Sequence, residues 1–89
     1  MTFEKHKKIL LENPEFRKLW EETRIEREIA RALIRARIEK RLTQAQLAKK
    51  LKTKQSVISR VESGLTTPSL SFLKRLAEVL DTSLSVQFK

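Results

Sequence analysis

The sequence predicts an all-α fold, and three observations lead to that prediction. Apolar residues recur at helical spacing along most of the 89-residue chain. One glycine and two prolines leave few positions at which a helix is forced to end. Strand-like alternation of apolar and polar residues is confined to the last few residues. A chain of this length builds one small domain with a modest core.

The composition is strongly basic, with 20 Lys+Arg against 11 Asp+Glu and a net charge of +9. Such a balance favours polyanions as partners, nucleic acid ahead of anionic membranes, although a solvated basic surface gives the same charge. No apolar run is long enough to span a bilayer and no signal-peptide core is present, so we expect a cytoplasmic protein without a membrane partner. The absence of cysteine excludes disulfides and thiolate metal sites and suits a reducing compartment.

The first 24 residues predict a helical extension. Residues 1–12 form a short amphipathic segment, which needs a packing partner because two helical turns are marginal alone. Asn13 is a capping residue and Pro14 suits a first turn, so a second helix begins there. Residues 14–40 contain two apolar stripes and no further Gly or Pro. The segment 21–24 between the stripes is the expected break, but one continuous helix stays open as an alternative.

Two short helices are predicted next. Thr43 and Gln46 have the spacing of a capping box, which predicts a helix over residues 44–51. Thr53 is expected to cap a second helix over residues 54–63, which the only glycine of the chain ends. A joint of about three residues between two short helices is the layout of a helix-turn-helix. Other pairs of packed short helices share this spacing, so the exposed side chains must decide the function.

The outer face of the second short helix carries short, specific hydrogen-bonding groups. Gln can bond adenine, Arg can bond guanine, and Ser can bond either base. These types occur at Gln55, Ser56, Ser59 and Arg60. Lysines cluster before and at the start of this helix, where phosphates would lie and where the helix dipole attracts them. The pattern predicts a recognition helix for double-stranded DNA.

The end of the chain predicts one more helix and a strand. Pro68 precedes leucines at helical spacing that continue to Leu80. Leu84, Val86 and Phe88 then alternate with polar residues, which predicts a half-buried strand. A lone strand must find another, so we expect a homodimer in which these three residues pair with their own copy. Two recognition helices about 34 Å apart would then read a palindromic operator; a frayed tail is the alternative.

Residues 25–80 resemble the helix-turn-helix of the Xre/Cro-type repressors. The resemblance lies in LTQ-x-x-LA, then Q-S-x-I-S-R-x-E-x-G, then PSL before a leucine-patterned helix. It implies a five-helix Xre/Cro-type domain over residues 25–82, with an N-terminal helical extension and a short C-terminal dimerisation strand. It also implies that Gln44 holds a phosphate and that Glu62 is a structural partner of the following loop. The candidate DNA-binding residues are therefore Gln44, Lys49, Lys50, Thr53, Lys54, Gln55, Ser56, Ser59 and Arg60.

The same resemblance assigns the core and raises one difficulty. The residues it implies are buried are Leu47, Ala48, Ile58 and Val61. Arg41 and Lys52 stand where the family usually has glycine at a helix end. A non-glycine residue in the left-handed conformation costs about 1 kcal/mol, so we expect these two joints to be built differently.

Most of the chain is also similar to HigA-like antitoxins, through the PEF-R-x-x-W segment, the ARALIRARIEK helix and the C-terminal strand. This similarity implies a dimer that represses its own operon and binds a HigB/RelE-like toxin, an mRNA-cleaving ribonuclease. Residues 1–24 would be the toxin-binding surface, and its candidate residues are Phe3, Leu10, Phe16, Leu19 and Trp20. Three alternatives stay open: internal packing of these residues on residues 29–38, a free-standing Xre-type regulator, and a basic RNA-binding protein.

Catalysis is not expected. His6 is the only histidine and has no Cys or carboxylate pair at ligand spacing. The sequence contains no glycine-rich phosphate loop, nucleophile elbow or catalytic dyad. We therefore expect no enzymatic activity, no metal site and no cofactor.

Overall fold

The computed structural model describes residues 3–89, with side chains from residue 4 onward. Its described residues form six helices: α1 (Phe3–Leu11), α2 (Pro14–Glu22), α3 (Arg24–Glu39), α4 (Gln44–Leu51), α5 (Gln55–Glu62) and α6 (Leu70–Val79). The all-α prediction is confirmed, although residues 25–82 contain four helices, α3–α6, where five were expected. Among the described helices, none is long and apolar enough to cross a membrane.

The N-terminal helices begin and end where local side chains satisfy the backbone. Asn13 Oδ1 accepts from two N–H groups in the first turn of α2, at 2.9 and 3.3 Å. The Thr23 hydroxyl donates to the Leu19 carbonyl (2.9 Å), and Thr23 separates the end of α2 from the start of α3. Residues 14–40 therefore form two helices, and the break lies within the predicted segment 21–24.

The core lies among α3, α4, α5 and α6. Helix α5 packs against both α3 and α4, and α6 packs against α4. The four residues predicted to be in the core are all buried, and Leu47 and Ile58 are fully buried. The complete buried cluster is Leu33, Leu47, Ala48, Leu51, Ile58, Val61, Leu76 and Leu80.

The two short helices begin differently. The capping box of α4 is present, because Thr43 Oγ1 accepts from the Gln46 N–H (3.1 Å) and Gln46 Oε1 accepts from the Thr43 N–H (2.9 Å). The predicted Thr53 cap of α5 is wrong. Thr53 instead closes α4, since its N–H donates to the Ala48 carbonyl (2.9 Å). The residue before α5 is Lys54, whose side chain has no acceptor for a capping bond.

The domain helices end at residues with positive φ. Gly64 ends α5 with φ +74°, as predicted. Arg41 and Lys52 have φ of 57° and 60°, so the expectation of differently built joints is wrong. Both residues keep the left-handed conformation, which the bond from Thr53 to Ala48 stabilises at the end of α4. A cation at the carboxyl end of a helix is also favourable, which offsets part of the strain.

Lys52 provides a test of this strain. Lys52→Gly should raise the free energy of unfolding by about 1 kcal/mol relative to Lys52→Ala, because only glycine adopts the left-handed conformation without a steric penalty. Urea denaturation followed by circular dichroism measures the difference. The alanine variant is the matched control, since both substitutions remove the same charge; equal stability of the two variants would contradict the argument.

The C-terminal segment differs from its prediction. Within the described chain, residues 83–89 form no strand, and Leu84, Val86 and Phe88 are exposed. The physical reason is that a strand needs a neighbour for its ladder of hydrogen bonds, and this segment meets no other extended segment of its own chain. Pairing with a second copy stays a prediction.

Candidate nucleic-acid interface

Helix α5 has an apolar inner side and a polar outer side. Ile58 and Val61 are buried and fix the helix on the core. The groups with base-reading chemistry lie on the outer side, and all of them are exposed: Gln55, Ser56, Ser59 and Arg60. The structure therefore brings together the side chains that the sequence predicted for the recognition helix.

Cations surround the start of α5. Residues 44–61 contain five Lys or Arg and no Asp or Glu. Lys49 and Lys50 are exposed in the last turn of α4, and Lys54 is exposed beside the positive end of the α5 dipole. Thr53 is half-buried. We give the name DNA face to the exposed residues that the sequence predicted to bind DNA: Lys49, Lys50, Lys54, Gln55, Ser56, Ser59 and Arg60.

A hydrogen-bond network around the nearly buried carboxylate of Glu62 holds together the helices that carry the DNA face. Arg37 Nε donates to Glu62 Oε2 at 2.6 Å, and Arg37 Nη2 donates to Glu62 Oε1 at 3.0 Å. Gln44 Nε2 donates to the same Oε1 at 3.1 Å, and Arg37 Nη1 donates to the Leu42 carbonyl at 2.8 Å. The hydrogen bond to Glu62 raises the pKa of the Arg37 guanidinium. This network joins α3, α4 and α5, the three helices that define the orientation of the DNA face.

The network changes two predicted roles. Glu62 is not a partner of the following loop, because its position four residues after buried Ile58 turns its side chain towards α3. The sequence did not predict that Arg37 helps to orient the candidate interface. Arg37 lies four residues after buried Leu33, a helical spacing that could have indicated its inward direction. Gln44 is oriented by Glu62, and a contact from its amide to phosphate stays a prediction.

Trp20 anchors the extension to the domain. The guanidinium carbon of Arg27, on α3, lies 3.5 Å from the centroid of the Trp20 ring, and Lys7 Nζ of α1 lies 5.0 Å from it. The Phe16 ring stacks beside Trp20 with centroids 6.0 Å apart. Arg27 Nη1 also donates to the Trp20 carbonyl and to Thr23 Oγ1. Burial lowers the pKa of the Arg27 guanidinium.

The residues predicted to bind a toxin do not form one exposed apolar patch. Leu10, Phe16 and Trp20 are half-buried, and only Leu19 is exposed, while the side chain of Phe3 lies outside the described residues. Trp20 contacts Lys7 of α1 and Arg27 of α3, and Arg27 lies outside residues 29–38, so the internal-packing alternative stays a prediction. In the described part of the chain, no three His, Cys, Asp or Glu side chains cluster as metal ligands, and His6 is exposed.

Comparison with known families addresses the class of protein. A model described as "Helix-turn-helix" matches residues 33–87, more than half of the chain. The chain belongs to the helix-turn-helix family. The match includes α4, α5 and α6 and the second half of α3. It confirms the DNA-binding, helix-turn-helix class that the sequence predicted.

The chain is similar to proteins named multiprotein-bridging factor. Identity is 38% and 39% to factors 1a and 1b of Arabidopsis thaliana, each over 61 residues that make up 68% of this chain and 43% of the relative. Identity is 36% over 61 residues to a putative multi-protein-binding factor 1 of Yarrowia lipolytica, with 68% and 40% covered. The chain thus spans less than half the length of these relatives. None of them is named as an antitoxin, so the HigA-like assignment is not supported. No solved structure matches the chain.

Proposed function

We propose that the chain is a free-standing transcriptional regulator that binds double-stranded DNA by inserting α5 into the major groove. The observation that carries the proposal is the outer face of α5, where an amide, two hydroxyls and a guanidinium are exposed above a buried apolar side. A helix serving only solubility would not need these short hydrogen-bonding groups with cations around them.

The distribution of charge supports this assignment. Residues 25–89 hold 14 Lys+Arg against 6 Asp+Glu, whereas residues 1–24 hold 6 against 5. The net charge of the chain therefore resides almost wholly in the helix-turn-helix part. Electrostatic attraction to phosphates supplies most of the affinity of non-specific DNA binding, so the extension contributes little to it.

Arg60 should contribute to sequence choice. Arg60→Ala should cost about 1–3 kcal/mol on a DNA sequence selected by the wild-type protein, and it should relax the preference at one base position. Fluorescence anisotropy with the selected duplex and a scrambled duplex, at fixed salt, measures both effects. Equal losses of affinity on the two duplexes would exclude Arg60 from base reading.

Lys50 should contribute to affinity alone. Lys50→Ala should weaken binding to the selected and scrambled duplexes alike and reduce the slope of log K against log salt by about one unit. Lys18→Ala, at an exposed position on α2, is the matched control and should leave the slope unchanged. A sequence-dependent effect of Lys50→Ala would instead place Lys50 among the base-reading residues.

A protein partner for the N-terminal helices is the second candidate function. Two observations favour it. The names of the relatives state a bridging of several proteins, and Ile9 and Leu19 are exposed. A HigB/RelE-like toxin would use the same surface, but the relatives give it no support. The test mixes the full chain with a small ribonuclease encoded by a neighbouring gene. A complex that forms with the wild type and is abolished by Leu19→Glu, while DNA binding is unchanged, would reinstate the antitoxin hypothesis.

A further inference from the structure

One apolar side chain of α5 stays exposed. The eight residues of α5, which the structure describes in full, include three apolar side chains. Ile58 and Val61 are buried, whereas Val57 is 37% exposed. Val57 lies four residues before Val61, a spacing that alone would place it beside the core. An exposed position on a surface helix is usually polar, so packing does not account for a valine here.

Val57 lies in the first turn of α5, where its N–H donates to the Lys54 carbonyl at 3.0 Å. The Cα–Cβ bonds of a helix tilt towards its amino-terminal end, so the two methyl groups of Val57 extend towards that end. In a helix-turn-helix, the amino-terminal residues of the second helix are the ones that contact base edges. The methyl groups of Val57 therefore lie at the end of α5 that would enter the major groove.

The side chain of Val57 is suited to contact an apolar group of fixed position. A β-branched residue in a helix has one strongly preferred χ1 rotamer, so holding its methyl groups in place on binding costs little conformational entropy. Base pairs offer one apolar group in the major groove, the methyl group at C5 of thymine. A 5-methylcytosine base carries the same group at the same atom. The polar residues of the DNA face have no comparable use for it.

We propose that Val57 contacts the C5-methyl group of a pyrimidine, thymine or 5-methylcytosine, and so contributes to the choice of DNA sequence. The inference rests on the proposed insertion of α5 into the major groove. Arg60 lies three residues further on, about 4.5 Å along the helix axis, and successive base pairs are about 3.4 Å apart. The methylated pyrimidine therefore belongs to a base pair next to the one that Arg60 reads.

Removal of single methyl groups from the DNA tests the contact. In the duplex that the wild-type protein selects, each thymine is replaced in turn by deoxyuridine, which lacks only the C5-methyl group, and fluorescence anisotropy gives each Kd. One replacement should weaken wild-type binding about fourfold, the effect of one buried methyl group. Val57→Ala should bind the unmodified duplex about fourfold more weakly and should not respond to that replacement. Ile25→Ala, at an exposed apolar position on α3, is the matched control and should respond as the wild type does.

A second set of duplexes covers the other source of the methyl group. If no thymine responds, each cytosine is replaced by 5-methylcytosine, and one replacement should strengthen wild-type binding about fourfold while leaving that of Val57→Ala unchanged. Each comparison uses one protein on two duplexes, so a small change in its folded fraction cancels. The inference is overturned if no methyl group matters in either set, or if wild type and Val57→Ala respond equally. Failure to select any duplex would overturn the DNA-binding proposal as well, whereas selective binding without this dependence on Val57 would overturn the present inference alone.

Discussion

Glu62→Ala should lower the free energy of unfolding by about 3–5 kcal/mol, because it leaves the Arg37 guanidinium partly buried without its counter-charge. The side chains of Arg37 and Glu62 are only 15% and 5% exposed, so water cannot replace the lost carboxylate easily. The Gln44 amide loses its acceptor at the same time. The expected loss is a large part of the total stability of a domain of this size.

Urea denaturation followed by circular dichroism measures this change. The double variant Arg37→Met/Glu62→Leu is the matched control, because it removes both charges and fills a similar volume; most of the stability should return. Glu62→Gln should lie between the wild type and the alanine variant, since it keeps the shape and one acceptor. A loss below about 1 kcal/mol for Glu62→Ala would show that the pair behaves as an exposed ion pair.

Ile58→Ala should destabilise the domain by about 2–5 kcal/mol, whereas Ile58→Val should cost about 0.5–1.5 kcal/mol. Ile58 is fully buried at the point where α5 meets the core, so truncation leaves a cavity beneath the recognition helix. The graded pair separates the loss of one methylene from the loss of most of the side chain. At temperatures where Ile58→Ala is still folded, the loss of its free energy of DNA binding should be smaller than the loss of its free energy of unfolding.

Val57→Ala is the control for Ile58→Ala. Val57 precedes Ile58 on the same helix but is exposed, so its truncation should change the stability by no more than about 0.5 kcal/mol. Thermal denaturation of the variants at equal concentration gives the comparison. Equal destabilisation by the two alanine substitutions would mean that the inner and outer sides of α5 are assigned incorrectly.

The features that the sequence predicted well depend on neighbours within four residues. Thr43 and Gln46 form their capping box, and Asn13 caps α2, because each bond is local and each residue type has few other uses. The exposed side of α5 follows from helical spacing once Ile58 and Val61 are placed inside. Local periodicity was therefore enough to find the exposed side of α5, whose contact with DNA stays a prediction.

The features that the sequence did not predict depend on contacts between residues far apart in the chain, or on contacts that offset an unfavourable local conformation. Arg37 and Glu62 are 25 positions apart, and no local rule pairs them. Lys52 adopts the left-handed conformation because contacts at the end of α4 outweigh its intrinsic preference. The C-terminal segment was predicted from its alternation alone, which describes what a strand requires but not whether a neighbour supplies it.

The stacking of Trp20 on Arg27 makes the extension visible to spectroscopy by itself. The chain has one tryptophan and no tyrosine, so emission excited at long ultraviolet wavelengths comes from Trp20 alone. A ring with guanidinium and ammonium groups near its faces would shift and change in intensity when α1 and α2 leave α3. Circular dichroism, in contrast, reports the six helices of the described residues at once. If the extension detaches before the core melts, the fluorescence transition will precede the dichroism transition, and the interval between them will measure how tightly the two parts are coupled.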